Sequence, residues 1–103
     1  MQKVINRKLY NTETATLIAS WSNDSEAGDP HYCHEELYKT MRGNFFLYGE
    51  GGAQTHWGNT NGKIIWEGDG IDPIDQEEAE QWINDHHICL DDPYHVFHEI
   101  EEA

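Results

Sequence analysis

Residues 34–52 read HEELYKTMRGNFFLYGEGG. The fold turns on whether this stretch is a pair of strands or a strand feeding a ligand-binding loop. Arg42-Gly43-Asn44 separates two runs rich in aromatic and apolar residues. Gly and Asn tolerate the positive φ that tight hairpin turns require, so the segment reads as two antiparallel strands. Leu37, Tyr38, Phe45, Phe46, Leu47 and Tyr48 then form the middle of a sheet. The competing reading rests on Gly49, Gly51 and Gly52, because a strand followed by a glycine-rich loop begins many phosphate sites. Such a cradle needs a helix N-terminus and usually a cation. Here Gly52 is followed by Ala53-Gln54-Thr55-His56-Trp57 with no Lys, and Glu50 adds negative charge. The loop is therefore expected to end a central strand, its glycines taking backbone angles closed to other residues.

Working outward, VINRKLYN (4–11) reads as a short strand or hairpin with Asn6-Arg7 as its turn. TATLIASWS (14–22) alternates, which predicts a strand with Ala15, Leu17, Ala19 and Trp21 on one face and Thr14, Thr16, Ile18 and Ser20 on the other. NDSEAGDP (23–30) is a polar loop of turn formers. Asn61-Gly62 predicts another turn, followed by a short strand from Lys63 to Glu67. In IDPIDQEEAEQWINDHH (71–87), Asp75 fits an N-cap and Glu78 completes a capping box, with Ile74 and Ala79 as hydrophobic staple. Ala79, Trp82, Ile83 and His86 then form one helical stripe. A second short helix is expected after Asp92 and Pro93, with Tyr94, Phe97 and Ile100 packing inward. These elements predict a single α+β domain over residues 1–103: an antiparallel β-sheet from about residue 1 to 67 packed against one or two C-terminal helices.

Charge narrows the function classes. Twenty acids against six bases give −14. Residues 1–63 hold seven acids and six bases, whereas residues 64–103 hold thirteen acids and no Lys or Arg. Disorder does not fit four Trp, five Tyr and three Phe, and a general solubility adaptation would spread the acids evenly. An acidic face repels nucleic acid and attracts proteins whose surfaces bind it. The candidate partner-binding residues are Glu67, Asp69, Asp72, Asp75, Glu77, Glu78, Glu80, Asp85, Asp91, Asp92, Glu99, Glu101 and Glu102. Near the helix start, Asp75, Glu77 and Glu78 favour the macrodipole and need no partner to explain them. Glu80, three residues from Glu77, and Asp85, at the negative end, each cost some tenths of a kcal/mol. The same holds for Glu99, Glu101 and Glu102 at the tail of the second helix. Stability alone would favour Lys there.

Other chemistries are less well supported. His31, Cys33, His86, Cys89, His95 and His98 are competent metal ligands, yet CxxC, HExxH and repeated knuckle spacings are all missing. Acid pairs are expected by chance in so acidic a chain, and a Cys-His nucleophile at Cys33 or Cys89 is equally unspecific, so no catalytic residue and no cofactor are assigned. Two cysteines are too few for a disulfide framework but leave room for one bridge. The opening MQKVINRKLY has no apolar h-region and no run approaches a membrane span. A soluble cytoplasmic protein without membrane or direct nucleic-acid partners is expected.

Three blocks, KLYNTETATLIASW (8–21), EELYKTMRGNFFLYGEGGA (35–53) and IDPIDQEEAEQW (71–82), carry a family resemblance. In this order and spacing the chain resembles a group of small proteins carried by phages and mobile elements of Gram-positive bacteria. That group includes anti-CRISPR inhibitors of effector nucleases. The resemblance covers about half the chain and departs from the group at His56 and Trp57, where relatives often carry Tyr or Ser beside charged residues. It implies a non-enzymatic inhibitor whose acidic surface mimics DNA and occupies a CRISPR effector or another basic nucleic-acid-binding protein. The alternative is a metal-binding or regulatory accessory protein of a mobile element.

Overall fold

The computed structural model describes residues 1–98 and 100. The described residues trace β1 (Gln2–Ile5), β2 (Lys8–Asn11), β3 (Thr16–Ser22), β4 (Cys33–Lys39), β5 (Phe45–Gly51), β6 (Asn59–Thr60), β7 (Ile65–Trp66), β8 (Gly68–Ile74), α1 (Gln76–Asp85) and α2 (Pro93–Val96). The fold is α+β: a four-stranded antiparallel sheet in the order β3-β4-β5-β8, with α1 on one face.

The central hairpin forms where the sequence places it. β4 and β5 pair from Cys33↔Gly51 to Lys39↔Phe45. Gly43 takes φ +87 in the turn, and the Asn44 amide donates to Thr40 Oγ1 at 3.0 Å. Because side chains alternate along a strand, Leu37, Phe45 and Leu47 face α1 while Tyr38 and Phe46 face away. The Asn6-Arg7 turn also holds, with φ 50 and 66 joining β1 to β2 as a separate ribbon. Tyr10 fastens that ribbon to the sheet, edge-on to Phe46 at 5.5 Å.

α1 begins as its capping box dictates. The Asp75 carboxylate accepts from the Glu78 amide at 2.8 Å, and the Glu78 carboxylate accepts from the Asp75 amide at 3.2 Å. Ala79, Trp82 and Ile83 are buried against Leu37, Phe45 and Leu47. Each large apolar side chain of that stripe contributes about 1.5–3 kcal/mol on burial.

Five expectations need correction. The sheet does not end near residue 67, because Gly68–Ile74 forms its fourth strand, paired with all of β5. Gly, Asp and Pro are poor strand formers, but an edge strand tolerates them. The strand expected over Lys63–Glu67 shrinks to Ile65–Trp66, paired only with Asn59–Thr60. The alternation predicted for residues 14–22 is broken by a bulge between Leu17 and Ala19. Ile18 therefore joins Ala19 and Trp21 against the α1-side core, and Leu17 is left 51% exposed. An inserted residue shifts every later side chain to the other face. Tyr94 points outward at 58% exposure, because α2 is a single turn that directs Val96 inward, while Phe97 and Ile100 beyond its end reach the core.

The last correction concerns the glycine-rich loop. Gly49, Gly51 and Gly52 all avoid positive φ. What requires glycine is close approach: a Cβ on Gly49 would lie 1.9 Å from Cε2 of Trp57. The bare strand forms a slot for the Trp57 indole, which is buried while Trp66 on the outer ribbon is 45% exposed. Cys33 and Cys89 are free thiols. Among the described residues no helix is long and apolar enough to cross a membrane.

Candidate functional site

The acidic residues divide by position. On α1, burial of Ala79, Trp82 and Ile83 turns Glu77, Gln81 and Asn84 outward, with Glu78 and Asp85 on one flank and Glu80 on the other. Glu77, Glu78 and Asp85 are exposed and Glu80 is half-buried. Asp85 accepts from Gln81 Nε2 at 2.7 Å, and Glu80 accepts from Gln76 Nε2 at 3.4 Å. The segment after α1 folds back against it. Gln76 exchanges two hydrogen bonds with the His98 backbone, at 2.7 and 3.0 Å. This return carries exposed Asp91 and Asp92 beside the helix, where Asp92 caps α2 by accepting from the His95 amide.

The remaining candidates lie elsewhere. Asp75 is occupied as the α1 cap. Asp69 pairs with Glu50 across the strands, on the face away from α1, and exposed Glu67 precedes it. Asp72 lies on the α1 face, 3.9 Å from His56 Nε2. Glu99, Glu101 and Glu102 lie outside the described residues. Thus α1 carries Glu77, Glu78, Glu80 and Asp85, the segment returning along it carries Asp91 and Asp92, and β8 carries Asp69 and Asp72 to opposite sides of the sheet.

The ion pairs explain why this surface keeps its charge. Among the described residues all three involve histidine: His34–Glu36, His56–Asp72 and His86–Glu35. No Lys or Arg of the described residues neutralises a carboxylate. Three of the six cations, Lys3, Arg7 and Lys8, sit far in sequence from the acidic segment, and one of the nearer ones, Lys39, instead donates to the Val96 carbonyl at 2.7 Å and lies 5.5 Å from the Phe45 ring centre.

A second cluster was not legible as a site in the sequence. Glu35, inside the α1 face of β4, is 13% exposed at its side chain. One oxygen accepts from Trp57 Nε1 at 2.8 Å and the other from Trp82 Nε1 at 2.9 Å. His86 Nε2 approaches to 3.7 Å, and its ring stacks on Trp21 at 4.0 Å. A carboxylate buried this far is costly unless hydrogen-bonded, and two indoles supply the donors. The same surroundings suppress the neighbouring thiol: burial first, then the Glu35 charge, push Cys33 up to about 11. That removes the thiolate on which nucleophilic chemistry depends.

The opposite face is built from phenols. Tyr32 and Tyr48 donate to the two oxygens of Glu50, at 2.9 and 3.3 Å, and Tyr38 donates to Glu36 at 2.9 Å. Burial, then the bond to Glu36, raises Tyr38 to about 12. Burial, then the charge of Glu50, raises Tyr48 to about 12. The Tyr32 phenol is raised too, chiefly by its bond to Glu50.

The metal candidates do not converge. Among the described residues no three His, Cys, Asp or Glu side chains come together as a metal-binding group. His31 is exposed in the turn before β4, Cys33 packs under α1, His86 faces Glu35, and Cys89, His95 and His98 are exposed. Comparison with family models, curated proteins and solved structures finds no match to this chain.

Proposed function

We propose that this protein is a non-enzymatic inhibitor that binds a basic nucleic-acid-binding protein and excludes DNA from it. The expected target is a CRISPR effector nuclease in the cytoplasm of a bacterial host, with the protein supplied by a phage or mobile element. The carboxylates of α1 and of the segment returning along it stand in for the phosphate backbone. One observation carries this reading: in a chain of net charge −14, Glu77, Glu78, Asp85, Asp91 and Asp92 are exposed without a Lys or Arg partner among the described residues. Neighbouring helical positions at i, i+3 and i+4 lie about 5–6 Å apart, close to phosphate spacing along a strand. The same Lys and Arg side chains that grip DNA can engage them. Inhibition is competition, with no bond made or broken.

The test is charge reversal at positions that cap nothing. Glu77→Lys, Asp85→Lys and Asp91→Lys together should abolish capture of the effector and restore its DNA cleavage, with the circular dichroism spectrum unchanged. Wild-type binding should weaken steeply with added salt, as counterion-linked contacts do. Full inhibition by the triple variant overturns the proposal.

A further inference from the structure

The six cations of this chain are unevenly used. Arg7, Lys8 and Arg42 line a single hollow of about 500 Å³ between the β1–β2 ribbon and the β4–β5 turn. No carboxylate lines it among the described residues. The rest of the chain holds three cations and all twenty acids. Cations in so acidic a protein are expected to seek acids, because each unlike pair lowers the energy. Arg7, Lys8 and Arg42 instead share one hollow, and like the other Lys and Arg side chains none is ion-paired among the described residues.

The backbone supports a purpose for one of them. Arg7 has φ +66 in the second position of the hairpin turn. Gly adopts that conformation without strain and is the favoured residue there, whereas a long side chain at positive φ is disfavoured. Arg7 therefore stands at the rim of the hollow where a less strained residue would make the same turn.

We propose that this hollow binds an organic phosphate of about nucleotide size. Two guanidinium groups and an ammonium group suit a phosphate, guanidinium in particular through paired N–H donors. Asn11, Thr14 and Thr40 add neutral polar groups to the wall, and Leu9, Tyr10 and Met41 supply an apolar side for the organic part. The volume lies within the ordinary range for small-ligand sites. Electrostatics select a small ligand over a polymer. A long polyanion feels the −14 charge of the whole molecule, which measures 47 × 32 × 21 Å. A ligand held inside the hollow feels mainly groups within the screening length of about 10 Å. The site is independent of the α1 carboxylates and stands or falls apart from the inhibitor reading.

Nuclear magnetic resonance titration of the full chain tests it, using adenosine and guanosine 5′-monophosphates, the same nucleosides without phosphate, and a short single-stranded oligonucleotide. The nucleotides should shift the amides of residues 7–14 and 40–44 saturably, and the bare nucleosides should not. Arg7→Gly should lower affinity at least about tenfold while leaving the melting temperature equal or higher, since the turn is relieved of strain. Arg42→Ala should lower it similarly. No saturable shift at millimolar nucleotide overturns the proposal. So does equal binding of the phosphate-free nucleosides, or an oligonucleotide that binds more tightly than the mononucleotides.

Discussion

The two faces of the sheet solve one problem in different ways. Each places carboxylates among aromatic side chains in a protein with few cations. Under α1, Glu35 is held by two indole N–H groups and approached by His86. On the far face, Glu50 is held by two phenols and Glu36 by one phenol and His34. Neither face uses Lys or Arg. The difference lies in burial. Glu35 sits within the aromatic core, whereas the side chain of Glu36 keeps 24% of its exposure. Neutral donors therefore carry structural weight in the first setting and mainly fix side-chain orientation in the second. The exposed carboxylates of α1 and its return segment have no Lys, Arg or His partner among the described residues.

The contrast can be broken most directly at Glu35. Glu35→Ala strands two indole donors in the core and should cost about 3 kcal/mol of unfolding free energy, since each orphaned buried donor costs about 1–3 kcal/mol. Glu50→Ala should cost no more than about 1 kcal/mol by the same denaturant titration, because its phenols can reach water. Equal losses at the two positions would erase the distinction between the faces.

Gly49→Ala should cost about 2–3 kcal/mol by driving Trp57 from its slot and loosening its hold on Glu35. Combined with Trp57→Ala, the substitution at Gly49 should become nearly neutral, so a double-mutant cycle reports the coupling. Tyr48→Phe, which removes one donor to Glu50, should cost about 0.5–1 kcal/mol.

A pH slope gives a further check on the phenol face. Tyr38 and Tyr48 are raised from the ordinary 10.0 to about 12. The folded protein therefore holds these protons more tightly than the unfolded chain. The resulting stability is fully present below pH 10 and is lost as pH rises through about 12. Denaturation midpoints taken across that window should fall, and the double variant Tyr38→Phe/Tyr48→Phe should flatten the decline. An unchanged slope in that variant would place the titrating groups elsewhere.

Much of the framework was readable from local chemistry. The Arg42-Gly43-Asn44 turn, the Asn6-Arg7 turn, the Asp75/Glu78 capping box and the Ala79-Trp82-Ile83 stripe each depend on residues within a few positions of one another. β8 escaped because Gly68-Asp69-Gly70-Ile71-Asp72-Pro73 has little strand preference of its own and is a strand only because β5 pairs with it. The bulge at Ile18 escaped because alternation predicts faces only while register holds. Of the candidate acids, those on α1 could be placed by helical spacing, whereas Asp69 and Asp72 could not be placed before their strand was known.

By itself the sequence determined the charge of this protein, the helix and its cap, the central hairpin, and the concentration of acids in the last forty residues, because these follow from composition and from neighbours in the chain. Only the tertiary structure decided that Trp57 needs Gly49, that Trp57 and Trp82 together hold Glu35, and that Arg7, Lys8 and Arg42 share one hollow. Most of those pairings span tens of residues, and no local preference encodes which distant side chain will supply a missing donor or a neighbouring charge.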